Sequence, residues 1–518
     1  MRRVAIVVIS ILAGMTFFTS APNGSKPVQA AGPIVVTGTA DDAVVANLLT
    51  NGECDLREAI QAANTNLAVG LCPAGGSGPD TITFNISGAG PHTILAQDVF
   101  SVLEPLNLDA TTAELATSCN PIGRTLSIEV KAAGINGDIF SFASSAPGST
   151  IAGFVINGAT GAAIRVVSAN NVTVRCNHLG TDVHGGLRIT NGSGVFTSGS
   201  TNITIIGGST PSDLNIISGG TDAGIRVTSG GATIRGNHIG TNLAGTAALR
   251  NQNGIETANT TQAVQIGGLG SGEANLISGN AANGVTTANA ANVRIEGNRI
   301  GTTADGLSPL ANSGNGVKAT GQASTKVLIS RNRIAFNGGL GIQLGENDFG
   351  TNDAGDLDTG PNGFQNYPTL TSASPAGITG NTSTFATGTY TVELFRSPTC
   401  DPSEHGEGLE WFASLGAMHE NANFSDSSPM FSPGFVTATA TDETAQATSD
   451  FSLCFEITPD VDCDGDGDAV DALAVLRKIA GLTSGSPVET GPCIANVNGD
   501  ATTDVRDALF IRRFAAGL

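Results

Sequence analysis

The feature that most restricts this chain is a repeat of 60 to 61 residues running through its middle, from about residue 150 to residue 345. Ile206-Gly207-Gly208 returns as Ile266-Gly267-Gly268, and Asn215-Ile216-Ile217-Ser218-Gly219 returns as Asn275-Leu276-Ile277-Ser278-Gly279. Gly224-Ile225 returns as Gly284-Val285. A further line runs through Asn177-His178-Leu179-Gly180-Thr181, Asn237-His238-Ile239-Gly240-Thr241 and Asn298-Arg299-Ile300-Gly301-Thr302, with Asn332-Arg333-Ile334 as a shortened copy. Fixed spacing on this scale marks a solenoid, because one unit cannot bury its apolar face alone and must stack on the next.

The unit is made of short strands. Residues 172–175 (VTVR), 232–235 (ATIR), 293–296 (VRIE) and 327–330 (VLIS) alternate apolar and polar positions, or nearly so. That is the period of a half-buried strand. Gly and Asn follow each one and tolerate the left-handed backbone of a sharp corner. The length predicts about three coils of ~20 residues in each unit. Asn177, Asn237, Asn298 and Asn332 are then expected to line up at one corner and bond along the stack as amide ladders do.

This pattern resembles the right-handed parallel β-helix of the pectate-lyase type, through the repeat and its Asn-x-Ile/Leu-Gly-Thr corners, over about 300 residues. A solenoid needs its open ends capped. Residues 53–64 have helical spacing, with Leu56, Ile60 and Ala63 on one face. They resemble the CSLREA motif found near the start of many exported bacterial β-helix proteins, with Asp55 in place of the Ser. Arg57 and Glu58 accordingly read as parts of a cap helix and not as catalytic groups.

The end of the chain holds a second duplication. Residues 460–471 (DVDCDGDGDAVD) align with 496–507 (NVNGDATTDVRD) at an offset of 36, and Asp471–Leu482 aligns with Asp507–Leu518. Loop positions 1, 3, 5, 9 and 12 are Asp460, Asp462, Asp464, Asp468 and Asp471 in the first copy. In the second they are Asn496, Asn498, Asp500, Asp504 and Asp507. That spacing wraps a chain around Ca²⁺, a hard cation that takes six to eight oxygens, with Asp466 and Thr502 offering carbonyls at position 7. Two Ca²⁺ sites are therefore expected. A Zn²⁺ site would call for Cys and His, and no His lies here. The segment 458–518 resembles type I dockerins, which carry two such loops, each followed by one helix. The resemblance implies a cohesin-type protein as docking partner. Gly467 and Thr503 stand where dockerins are usually apolar, and Asn496 lowers the charge of the second loop. Asn352, Asp353, Asp356 and Asp358 form another oxygen-rich stretch, open to reading as a further Ca²⁺ site or as a solvated closing loop.

Between repeat and tail, residues 388–396, 435–441 and 451–457 read as strands. They predict a small Ig-like β-sandwich over 371–457. Glu393-Leu394-Phe395 and Cys400-Asp401-Pro402-Ser403 resemble the all-β module that often follows such β-helices. Trp411 reads as a buried core residue or, alternatively, as a sugar platform. The chain opens with Arg2 and Arg3, an apolar stretch from Val4 to Phe18 and a small-residue Val28-Gln29-Ala30 site, the pattern of a secretory signal over 1–30. Its loss would leave a net charge of −24, since 1–30 holds Arg2, Arg3 and Lys26 and no acid. Such a chain repels nucleic acid and anionic lipid. Eight cysteines in an exported chain suggest disulfides, and proximity proposes Cys54–Cys72, Cys119–Cys176, Cys400–Cys454 and Cys463–Cys493.

The order that emerges is signal, 31–370 β-helix, 371–457 sandwich and 458–518 tail, mainly β with a helical end. A secreted or cell-surface binding or structural protein in a polysaccharide setting fits it, without a transmembrane segment once the signal is removed. The alternative is a polysaccharide lyase or glycoside hydrolase brought to a cohesin-bearing complex. Glycoside hydrolysis needs two carboxylates flanking the bond. Asp182, Asp213, Asp222, Glu256, Glu273, Glu296 and Asp305 share no repeat position. The candidate lyase cations Arg294, Arg299, Lys318 and Arg333 read as solvated corners. His178 and His238 recur one repeat apart, which points to a structural place.

Overall fold

The computed structural model describes residues 32–113, 119, 124–200, 204–346, 350–374, 377–427, 434–461, 467–482, 497 and 503–516. Three parallel sheets run along the molecule side by side. The first extends from Ile34–Val36 to Val327–Ser330, the second from Phe100–Val102 to Ile342–Leu344, and the third from His92–Ala96 to Arg333–Ile334. The chain visits the sheets in turn and pairs each strand with its counterparts one coil below and above, as Val174 pairs with both Ile151 and Ile206. This is a parallel β-helix. Inward positions carry Ile, Val, Leu and Phe with almost no exposure, among them Ile164, Val174, Ile206, Ile234, Ile266 and Ile295. Each such side chain stabilises the stack by roughly 1.5–3 kcal/mol relative to an exposed one.

The coil is longer than the sequence suggested. Val174 pairs with Ile206 and Ile206 with Ile234, steps of 32 and 28 residues. The 60-residue unit therefore holds two coils and not three. The extra residues lie in excursions that differ between alternate coils. One kind closes with the isolated bridges Thr181–Arg188, Thr241–Ala248 and Thr302–Pro309. The other carries the turn at Pro211–Asp213, which recurs as the Gly270–Glu273 turn. Because the two kinds alternate, the sequence repeats only every second coil.

The asparagines bind the coils together at the corners. Asn215 Nδ2 donates to Asn237 Oδ1 at 2.9 Å, Asn237 to Asn275 at 3.0 Å, Asn275 to Asn298 at 2.9 Å and Asn298 to Asn332 at 3.0 Å. Asn177 joins through its backbone N–H to Asn215 Oδ1. The expected corner of Asn177, Asn237, Asn298 and Asn332 is thus present, with Asn215 and Asn275 from the intervening coils between them. A second ladder, unforeseen, runs Asn251, Asn280, Asn312, Asn337 at 2.8–3.1 Å. Its sequence signal is an Asn two to three residues ahead of Asn253-Gly254, Asn283-Gly284 and Asn315-Gly316.

Helix α1, Leu56–Thr65, closes the first end. Asp55 and Glu58 form a capping box, and Leu56, Ile60 and Ala63 are buried. Arg57 pairs with Asp41 at 2.6 Å, donates to the Val99 and Asp98 carbonyls, and lies over Phe100. Its role is to fix the cap. Cys54–Cys72 staples the same region, and Cys119–Cys176 and Cys400–Cys454 also form. Cys463–Cys493 lies outside the described residues.

Beyond the solenoid, Thr369–Ser374, Gly377–Asn381 and Asn423–Asp426 form an antiparallel sheet. A larger antiparallel sheet centres on Tyr390–Ser397, between Glu410–Met418 and Phe435–Asp442. The two enclose Leu370, Ile378, Phe424, Val392, Leu394 and Val436. Helices α2, Ala469–Ile479, and α3, Val505–Ala515, pack together over Val461, Ala472, Val475, Val497, Ala508 and Ile511.

Candidate functional site

The two tail loops close in the same way. Asp468 and Asp504 cap the helices by accepting from the Val470 and Arg506 N–H groups. Asp471 and Asp507 are fully buried. Asp471 turns back to accept from Val461 N at 2.6 Å and Asp468 N at 2.7 Å. Asp507 does the same with Val497 N at 3.0 Å and Asp504 N at 2.8 Å. The loop's last carboxylate thereby ties its second and ninth positions. An ionised carboxylate has about four lone-pair sites. Backbone N–H groups take two of them on each closing aspartate. The donor set is all oxygen and suits a hard cation. Asp462, Asp464, Asn496, Asn498 and Asp500, the middle of the predicted sets, lie outside the described residues, as do Asp466 and Thr502. Among the described residues no three His, Cys, Asp or Glu side chains converge as a metal cluster.

In the stretch at 352–358 the side chains are engaged by backbone of the same loop and of residues 366–367. Asn352 pairs with the Tyr367 backbone, Asp353 Oδ2 accepts from Leu357 N, and Asp356 Oδ1 accepts from Asn366 N. Burial, with Asp353, Asp358 and Asp442 nearby, lifts Asp356 to about 6.

On the coils, the acids are occupied locally. Asp182 accepts from Gly186 N and Leu187 N, and Asp213 accepts from Thr210 Oγ1. Asp222 and Glu256 share Arg226, Glu273 pairs with Arg235, and Glu296 pairs with Arg294. Asp305 accepts from Thr303 Oγ1 and Leu307 N. Asp222 and Glu256 approach one another with the Arg226 guanidinium between them. Lys318 pairs with Glu346, and Arg333 donates to the Gly306 carbonyl. His178 is fully buried, with Arg124 Nε at 3.1 Å from its Nε2. Burial, aided by the Arg124 charge, drives it down to about 3, and burial drives His238 down to about 4. Both rings sit on strands of the third sheet.

The least expected chemistry lies where the antiparallel sheets meet the last coil. Glu407 receives Asn337 Nδ2 at 2.8 Å and Asn337 N at 3.1 Å, so a carboxylate terminates the second asparagine ladder. Glu393 accepts from Ser330 Oγ at 2.7 Å and Arg331 N at 2.9 Å. Asp450 accepts from Leu344 N and Gly350 N. Burial raises all three, Glu407 and Asp450 to about 7. Phe395 and Phe451 enter the solenoid core beside them. Trp411 is half-buried on this seam, with Arg331 over its ring and its Nε1 donating to Ser414. It is neither a fully buried core residue nor a bare platform.

No family model matches the chain, and no curated protein matches it. Among solved structures, it is similar to the enzymatically active domain of tailspike protein 2 of bacteriophage CBA120, at 10% identity over 72% of each chain with a TM-score of 0.23. It is also similar to a point mutant of the periplasmic alginate epimerase AlgG, at 14% identity over 55% of this chain and 68% of that one, with a TM-score of 0.25. The β-helix itself rests on the strand pairing. Among the described residues no helix is long and apolar enough to cross a membrane.

Proposed function

We propose that this is an exported, non-catalytic β-helix protein that presents its coils to polysaccharide and is held in place by a calcium-loaded, dockerin-like tail. In this reading residues 1–30 are the signal, 31–370 a right-handed β-helix, 371–457 an Ig-like sandwich closing it, and 458–518 the docking module. The observation that carries it is the tail's twofold construction. Each helix is opened by a capping aspartate and each loop is closed by a buried one, at matching positions. Leu473, Leu476, Ile479 and Leu509 remain 41–52% exposed on these helices while the small core beneath is covered. Exposed apolar side chains on a small helical unit favour a protein partner of cohesin type.

The coils support binding over catalysis. Their carboxylates are taken up by arginines and turns, and the two that meet, Asp222 and Glu256, are both held by Arg226. The disulfides fit an oxidising exterior.

The test is capture of proteins from the source secretome by the full chain, with and without chelator, alongside incubation with pectin, alginate and xylan. The reading expects calcium-dependent capture that Asp471→Ala with Asp507→Ala abolishes, and no new reducing ends or unsaturated products. Capture indifferent to chelator contradicts the tail's role. Released oligosaccharide establishes the lyase or hydrolase alternative.

A further inference from the structure

We infer that the outer face of the first sheet holds an anion-recognising groove, centred on Arg175 and Arg235, that takes an extended polysaccharide bearing carboxylate or sulfate groups. This rests on the polysaccharide reading above and narrows it to a place and a charge.

The groove has a volume of about 520 Å³. Two ranks of side chains cross its floor. In one, Thr173 pairs with Ile205 and Ile205 with Thr233. In the other, Gly207 pairs with Arg235, and Arg175 stands one place beyond Val174, the partner of Ile206. Gly207 is thus a notch between two arginines on alternate coils. Its φ of +83° and the absence of room for a Cβ, which would fall 2.0 Å from the Arg235 carbonyl oxygen, keep that notch open. Ile205 is 38% exposed between the two threonines, an apolar floor for the face of a sugar ring.

The charges distinguish this place from the rest of the sheet. Outside the groove Arg294 is matched by a carboxylate at 2.9 Å, and inside it Arg235 gives one Nη to Glu273 at 2.7 Å, so Arg175 carries the groove's unmatched charge. Arg331 has Glu393 at 3.8 Å. Arg175 is half-buried and has no ion-pair or hydrogen-bond partner among the described residues. Arg235 adds an Nε that is buried without a partner. Asp213 also lines the groove, but its carboxylate is held by Thr210 and reaches neither arginine within ion-pair distance. In the next repeat the equivalent of Arg235 is Glu296, so the basic pair does not continue along the rod.

A guanidinium presents a planar fork that fits carboxylate and sulfate oxygens. Strands in a sheet lie about 4.8 Å apart, which sets Arg175 and Arg235 roughly 10 Å apart, two rungs along the axis. A chain of 1→4-linked pyranoses advances by nearly one rung per sugar. Anionic groups on alternate sugars therefore fall on the two arginines, with the intervening ring over Ile205.

Affinity electrophoresis of the full chain tests this, through gels holding polygalacturonate, a sulfated galactan or a neutral galactan. Wild type is expected to be retarded by the carboxylate polymer, the sulfated polymer or both, not by the neutral one, and less so in added salt. Arg175→Ala is expected to weaken retention about tenfold, the loss of one charge-assisted hydrogen-bonded contact. Arg175→Lys, which keeps the charge but not the fork, should fall between and guards against a folding defect. Arg294→Ala, outside the groove, should behave as wild type. If Arg175→Ala and Arg175→Lys are retained as wild type is, or if the neutral gel retards equally, the groove is wrong while the polysaccharide reading stands. If no gel retards the protein, both fall.

Discussion

Truncating Asn275 to Ala removes the middle of the first ladder, and the structure sets the cost. Asn275 is fully buried. Its Oδ1 accepts from Asn237 N at 3.1 Å and Asn237 Nδ2 at 3.0 Å. Its Nδ2 donates to the Ile234 carbonyl at 2.8 Å and Asn298 Oδ1 at 2.9 Å. Asn237 Nδ2 keeps the Ile206 and Arg235 carbonyls, and Asn298 Oδ1 keeps the Asn275 N–H, so those two losses are cushioned. The Asn237 N–H is left with no acceptor in a dry corner. An orphaned buried donor costs about 1–3 kcal/mol and each further hydrogen bond about 1 kcal/mol, so the expected destabilisation is about 3–4 kcal/mol. Denaturant midpoints of wild type and variant measure it, and hydrogen exchange should place the new opening at the coils on either side of residue 275. A loss below about 1 kcal/mol, the worth of a single ordinary hydrogen bond, would refute the view that amide ladders hold the coils in register. So would opening spread evenly over the solenoid.

Three further outcomes are expected. Glu407 and Asp450 are raised by burial from their ordinary range to about 7, so their contribution to stability is complete below about pH 4 and is lost as pH rises to about 7. Glu407→Gln and Asp450→Asn should flatten that part of a melting-versus-pH curve by up to about 3 and about 4 kcal/mol respectively, and an unchanged slope would count against the seam. His178, lowered to about 3, acts oppositely: its contribution is full above about pH 6.5 and is lost as pH falls, so a neutral replacement flattens the acid side. Replacing Cys54 and Cys72 by Ser should lower stability by about 2–4 kcal/mol and increase exchange in helix α1, as read by mass spectrometry.

Much of the architecture was legible because stacking makes neighbouring coils resemble one another. The strand at 172–175, the Asn corner and the cap face of Leu56, Ile60 and Ala63 all appear where their periodicity puts them. The coil count was misread because a sequence repeat reports the period of the least regular part. Here that part is the alternating excursions at Thr181–Arg188 and Pro211–Asp213, not the strands. The seam carboxylates were illegible for a different reason. Glu393, Glu407 and Asp450 sit in ordinary strand and loop contexts, and their meaning comes from Ser330, Asn337 and Leu344, which lie 63, 70 and 106 residues away. In the tail, the spacing proposes Asp468, Asp471, Asp504 and Asp507 as Ca²⁺ ligands but does not foretell their helix-capping and backbone bonds, and the middle of each loop lies outside the described residues.

Isothermal calorimetry of Ca²⁺ into the full chain bears most directly on the tail. Two binding events are expected, the weaker from the loop that opens with Asn496. Asp471→Ala should remove one and Asp507→Ala the other, with the solenoid's melting unchanged. Absence of binding heat, or heat that survives both substitutions together, would contradict the account.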